Sequence, residues 1–146
     1  MKRKSVEDTD SVTLTTTIFG ASDGLVASIA LIFATMTHGR RVVAAVIGLF
    51  NAEGLGRAAS QFLSDPNRNL RQATIMGVAT SIAIIVPTVP WIFSSGGIAA
   101  VVSCFIALTF AGLIYHARPG GWSTWLQTYG VLVGVGAIAT VAGRLT

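Results

Sequence analysis

The sequence predicts an all-α integral membrane protein with five transmembrane helices, and three observations carry that prediction. Of the 146 residues 52% are hydrophobic and only 11% are charged, so a water-soluble globule of this size would lack a polar coat. The apolar residues fall into five runs, each near the ~20 residues that cross ~30 Å of hydrocarbon. The connections between runs are short, which makes neighbouring helices antiparallel and leaves no room for a separate soluble domain.

Residues 1–11 form a polar tail, with Lys2, Arg3 and Lys4 followed by Glu7, Asp8 and Asp10. The tail is expected in the cytoplasm, either loosely ordered or as an amphipathic lead-in along the membrane surface. Residues 12–146 make up the membrane domain. The first span is placed at 12–36. It is too long for a cleaved hydrophobic region, and an acidic, Thr-rich segment separates it from the basic start, so no secretory signal peptide is expected. The other spans are placed at 42–63, 73–94, 97–116 and 122–143. Asp65-Pro66-Asn67 is a helix stop between the second and third. Pro87 and Pro90 each remove a backbone donor and crowd the preceding turn, so the third helix should kink or break near its end.

The net charge of +4 is not a nucleic-acid signature, because the basic residues sit at the ends of apolar runs, where lipid headgroups lie. With the N-terminus inside, the inner side holds Lys2, Arg3, Lys4, Arg68, Arg71 and Arg118, and the outer side holds Arg40, Arg41 and Arg144. Six against three favours a cytoplasmic N-terminus and an external C-terminus. Trp91, Trp122 and Trp125 fall near span ends, as interfacial anchors do. A single cysteine, Cys104, excludes an intrachain disulfide and reads as a small core residue. Met36 and Met76 read as packing or lipid contacts. Thr13, Thr15, Thr16 and Thr17 can bond carbonyls of their own helix or line an opening. His38 and His116 are expected on opposite sides, which argues against a shared metal site. No phosphate loop, paired Cys/His zinc spacing or nucleophile–base arrangement is present, so an enzyme is not expected.

The chemistry lies in the polar residues inside the first two spans. Asp23 falls in the middle of the first apolar run, where a carboxylate costs roughly 2.5–3.5 kcal/mol even on the gentler insertion scales. Gly20 and Gly24 flank it four residues apart and offer a face for a closely packed partner helix. Gly130 and Gly134 form a similar face in the fifth span, and Gly56 is placed with them as a packing glycine. The second span carries Asn51, Glu53, Arg57, Ser60 and Gln61. Glu53 and Arg57 are four apart and can pair. Asp23 and Glu53 each lie roughly 16 Å from the start of their spans at 1.5 Å per residue, so both fall near mid-depth. Asp23, Glu53 and Arg57 sum to one negative charge per chain, and two chains would balance one divalent cation. The set therefore reads either as a cation path, with Asp23 and Glu53 as metal ligands, or as a polar clasp between helices in which Arg57 neutralises one acid and the other is protonated.

Phe19-Gly20-Ala21-Ser22-Asp23-Gly24-Leu25-Val26 resembles the opening signature of the vacuolar iron transporter family, whose Gly-x-x-Asp-Gly-Leu motif sits in the first of five helices. Gly56-Arg57-Ala58-Ala59-Ser60-Gln61-Phe62-Leu63-Ser64 resembles the family's Ser-Met-Ala-x-Gly-Glu-Tyr-x-Ser pattern, and Ala142-Gly143-Arg144-Leu145 is similar to its last helix. The resemblance implies a homodimer in a cell membrane, expected prokaryotic, whose helices enclose a path for Fe²⁺ or Mn²⁺ leaving the cytosol in exchange for protons. Asp23 matches the family's first-helix aspartate. Arg57 stands where the family has a metal-contacting methionine, and Gln61 where it has a glutamate. Ser64–Gln72 replaces the family's long Glu-rich cytosolic helices. A fixed guanidinium repels a cation, and losing the sulfur and the carboxylate weakens transition-metal binding. The same fold without transport, acting as an assembly partner or regulator of another membrane protein, is the alternative. Transport of another solute, such as an anion drawn by Arg57, ranks below both.

Overall fold

The computed structural model describes residues 2–35, 41–94, 96–117 and 121–145, with only the backbone for 2–10, 35, 41 and 143–145. These residues are 93% helical, with no strand among them. The order is α1 (Lys2–Thr35), α2 (Arg41–Leu49), a π-helical segment (Phe50–Leu55), α3 (Gly56–Ser64), α4 (Leu70–Thr88), α5 (Pro90–Phe93), α6 (Gly97–Ala117) and α7 (Trp122–Leu145). Five stretches are long and apolar enough to cross a membrane: Ser11–Ala34, Val42–Ser64, Leu70–Phe93, Gly97–Ala117 and Trp122–Ala142. They match the runs read from the sequence to within a few residues. Met36, His38, Arg40 and Arg118 lie outside the described residues.

Three local features differ from the expectation. The chain is already helical at Lys2, so residues 2–10 extend α1 as a helical lead-in and do not form the loosely ordered tail that was the other expectation. No glycine or proline precedes Gly20, so nothing in the sequence stops that helix. The second span is not a plain α-helix, since its centre widens into the π segment. Asn51 Nδ2 donates to the Ile47 carbonyl at 2.8 Å, the acceptor that an α-helix would pair with Asn51's own N–H. Trp91 is buried against Ile32, Val42 and Ala99 instead of anchoring at an interface, because α5 lies against α6 and α2. Trp122 and Trp125 do stay at the surface, stacked with ring centroids 4.8 Å apart.

The proline break falls where the sequence puts it. α4 ends at Thr88, Val89 forms a turn, and α5 starts at Pro90. The Thr88 hydroxyl lies within hydrogen-bond distance of the Ile84 and Ile85 carbonyls, at 3.0 and 2.7 Å, where the ladder is weakened. The stop between the second and third spans is also built from side chains. Asp65 accepts from the Asn67 and Asn69 N–H groups at 2.8 and 3.2 Å. Asn69 then caps α4 by accepting from Arg71 and Gln72.

α1 and α4 are the centre of the bundle. α4 buries a helical stripe that includes Ala73, Met76, Gly77, Thr80, Ala83 and Ile84. α6 buries Ala99, Ser103, Ala107 and Ala111, four small residues each one turn apart. Leu25 and Ile29 of α1 join Ala83, Ala107, Ala111, Ile114 and Leu132 in one core cluster. Gly20 and Gly24 are the reason α1 lies so close to α4. A Cβ on Gly20 would stand 2.7 Å from the Met76 carbonyl oxygen, and one on Gly24 would strike the Thr80 carbonyl. Gly56, Gly130 and Gly134 have nothing within 4 Å of where a Cβ would be, so within the chain they pack against no other helix. Gly136 serves α7 instead: a Cβ there would lie 3.4 Å from the Phe33 ring of α1.

Gly24→Ala is therefore expected to cost about 1–3 kcal/mol, the usual penalty for overfilling a close contact. Gly130→Ala should stay within about 0.5 kcal/mol of the parent. Thermal unfolding in detergent micelles, followed by circular dichroism, checks both.

Candidate functional site at the centre of the first two spans

Two glycine contacts on α4 bring the first and second spans together. Gly20 and Gly24 seat α1 on it. On the second span, Gly54 of the π segment meets Gly77: a Cβ on Gly77 would lie 2.9 Å from the Gly54 carbonyl and 2.8 Å from Ala58 Cβ. With both spans drawn onto α4, Asp23 of α1 reaches Arg57 of α3. Asp23 Oδ2 lies 2.5 Å from Arg57 Nε. Glu53 Oε2 lies 3.5 Å from the same nitrogen, one turn back on the second span. One guanidinium thus serves two carboxylates. The three side chains are only partly covered within the chain, with 28% of Asp23, 35% of Glu53 and 39% of Arg57 exposed.

The other residues singled out from the sequence stand apart from this trio. Asn51 is exposed and bonded to its own helix through Ile47. Gln61 is half-buried, and its backbone carbonyl accepts from Asp65 N and Ser64 Oγ. Among the described residues no three His, Cys, Asp or Glu side chains converge. The two proposed metal ligands, Asp23 and Glu53, share Arg57 instead.

An open cleft of about 610 Å³ between α1 and the start of α7 leads to Asp23. Its polar lining is Thr15, Ser22, Asp23, Thr124 and Gln127, with Phe19 beside them. From Thr15 to Asp23 the cleft follows α1 for two turns, from near the start of the span to its middle. Two of the hydroxyls have a fixed polarity. Thr15 Oγ1 donates to the Ser11 carbonyl at 2.9 Å, and Ser22 Oγ donates to the Ile18 carbonyl at 2.8 Å. Each hydrogen is spent on the helix, so what remains on the oxygen is acceptor capacity. With the Asp23 carboxylate, the α1 side of the cleft presents acceptors, which suit a cation. Thr16 and Thr17 make the same back-bonds, to Val12 and Thr13.

Ser22, Thr15, Thr124 and Gln127 were missed as a group by the sequence reading. A signal existed: 15, 19, 22 and 26 recur at helical spacing on α1, and Thr124 and Gln127 are three apart in the first turns of the fifth span. Their convergence is tertiary, however, because it depends on α7 lying beside α1.

A double-mutant cycle should find Asp23 and Arg57 coupled by about 0.5–3 kcal/mol, and Glu53 and Arg57 coupled more weakly. Asp23→Asn, Glu53→Gln and Arg57→Gln, singly and in pairs, supply the cycles, read by thermal unfolding. Equal couplings would contradict the difference between 2.5 and 3.5 Å. No family model, no curated protein and no solved structure matches the chain.

Proposed function

We propose that the protein is an integral membrane transporter of small cations, with Asp23 as the acidic group at mid-span. The observation that carries this reading is the cleft. It runs along half of the first span, it is lined on α1 by hydroxyls whose hydrogens are already donated, and Asp23 stands in its wall. Ile18, Phe19 and Val26 line the cleft as well, but a carboxylate and four further polar side chains along one opening in spans otherwise apolar are what a path for an ion needs.

Fe²⁺ and Mn²⁺ are the proposed cargo, exported from the cytosol in exchange for protons, on the likeness of 19–26 and 56–64 to the vacuolar iron transporter signatures. The trio carries one net negative charge per chain, so two copies of the chain would supply the charge that one chain lacks, with Asp23 in the cleft and Glu53 beside Arg57. The homodimer belongs to this proposal, as do a cytoplasmic N-terminus and an external C-terminus. The second reading, a non-transporting assembly or regulatory protein, is favoured by one feature: Arg57 already occupies Asp23 at 2.5 Å, as a structural clasp would.

Uptake of Mn²⁺ and Fe²⁺ into proteoliposomes, with and without an imposed pH gradient, separates the two. The transporter reading predicts uptake that the gradient accelerates and that Asp23→Asn lowers at least tenfold. Absence of uptake of either metal by folded protein supports the clasp.

A further inference from the structure

Asp23, Glu53 and Arg57 are the only charged residues between Val42 and Ser64 or between Ser11 and Ala34. Their arrangement is unequal. Asp23 lines the cleft, while Arg57 and Glu53 do not. Arg57 and Glu53 belong to one continuous span and are four residues apart, so their pairing survives any movement of that span relative to α1. The Asp23–Arg57 contact joins two different helices, so the same movement breaks it. Arg57 Nε lies within ion-pair distance of both acids, so a small swing of the guanidinium transfers it from Asp23 to Glu53 without leaving it unpaired.

From this inequality we infer that Arg57 is a tethered counter-cation that competes with the incoming ion for Asp23. The inference rests on the cation-transport reading and adds a role for a residue that would otherwise obstruct it. With no ion in the cleft, the guanidinium neutralises Asp23. A cation arriving along Thr15 and Ser22 meets the cleft side of the Asp23 carboxylate and takes Arg57's place, and Arg57 retires to Glu53. Asp23 is then never left as a bare carboxylate at mid-span, where an unpaired charge is costly. A fixed positive charge beside the path, which by itself should repel a cation, becomes the partner of Asp23 in the empty state. Because a guanidinium stays protonated in nearly any surroundings, Arg57 cannot release Asp23 by losing its own proton, and it has to be displaced from the carboxylate.

Mn²⁺ binding to the purified protein in detergent, read from the loss of the free-ion electron paramagnetic resonance signal, tests this without relying on flux. Arg57→Gln is expected to bind Mn²⁺ at least tenfold more tightly than the parent. Arg57→Lys should restore the weaker parental affinity, and Asp23→Asn combined with Arg57→Gln should abolish the gain. Should Arg57→Gln not fold, Glu53→Gln/Arg57→Gln keeps the trio's net charge at that of the parent and is expected to show the same gain. Loss of the charge alone raises cation affinity, so Glu53→Gln/Arg57→Gln, which keeps the trio's net charge, is the deciding variant: a merely structural arginine leaves its affinity at the parental value. Unchanged or weaker binding in Arg57→Gln and in Glu53→Gln/Arg57→Gln, with binding still lost in Asp23→Asn, overturns the competitor role and leaves the cation site standing. Absence of Mn²⁺ binding in every variant overturns both.

Discussion

A guanidinium inside an apolar span needs a permanent partner, because hydrocarbon offers no water to solvate it and its proton is not released. Arg57 has two partners, and the rest of the arrangement depends on that. The three charged groups sit on two different spans, so they can meet only if the helices carrying them are held close and in register. α4 does this. It has no charge between Ala73 and Thr88, yet its small and buried residues set where the first two spans lie. Met76, Gly77 and Thr80 take the glycines of α1 on one side and Gly54 and Ala58 on the other. The electrostatic centre is therefore fixed by contacts that are themselves apolar or backbone in character.

The same geometry explains why the site is lopsided. α1 lies in the middle of the bundle, touching α4, α6, α7 and α2, whereas the second span touches mainly α4 and has few fully buried residues within the chain. Asp23 can thus face the cleft beside α7 and still reach Arg57. Glu53 has no such second face. The π segment adds to this asymmetry by interrupting the regular helix at Glu53, one turn before Arg57, and such segments recur in functional sites.

Much of the fold was legible in the sequence because it is dictated locally. The five apolar runs, the Asp65-Pro66-Asn67 stop, the break after Thr88 and the carbonyl bonds of Thr15, Thr16 and Thr17 all depend on residues within a turn or two. The Glu53–Arg57 pair was legible for the same reason. The Asp23–Arg57 contact could be argued only from depth, since hydropathy gives height along a helix but not rotation about it. Rotation also decides the fate of the glycines. Gly20 and Gly24 face α4, while Gly130 and Gly134 show the same spacing and face no helix of the chain. Trp91 read as an anchor by position and is buried by the fold of α5. The cleft as a whole was not legible, even though single lining residues such as Thr15 were, because its two walls are a hundred residues apart in sequence.

The central claim is that water and ions reach Asp23 along the face of α1 that carries Thr15 and Ser22. Substituted-cysteine labelling tests it most directly. In a Cys104→Ala background, Ser22→Cys and Gln127→Cys would be exposed to a membrane-impermeant thiol reagent in sealed vesicles, with Ile138→Cys as an apolar comparison. The account predicts rapid labelling of Ser22→Cys and Gln127→Cys from the side of the N-terminus, and none of Ile138→Cys. Failure of Ser22→Cys to label from either side would mean that the cleft is closed to water, and would contradict the account.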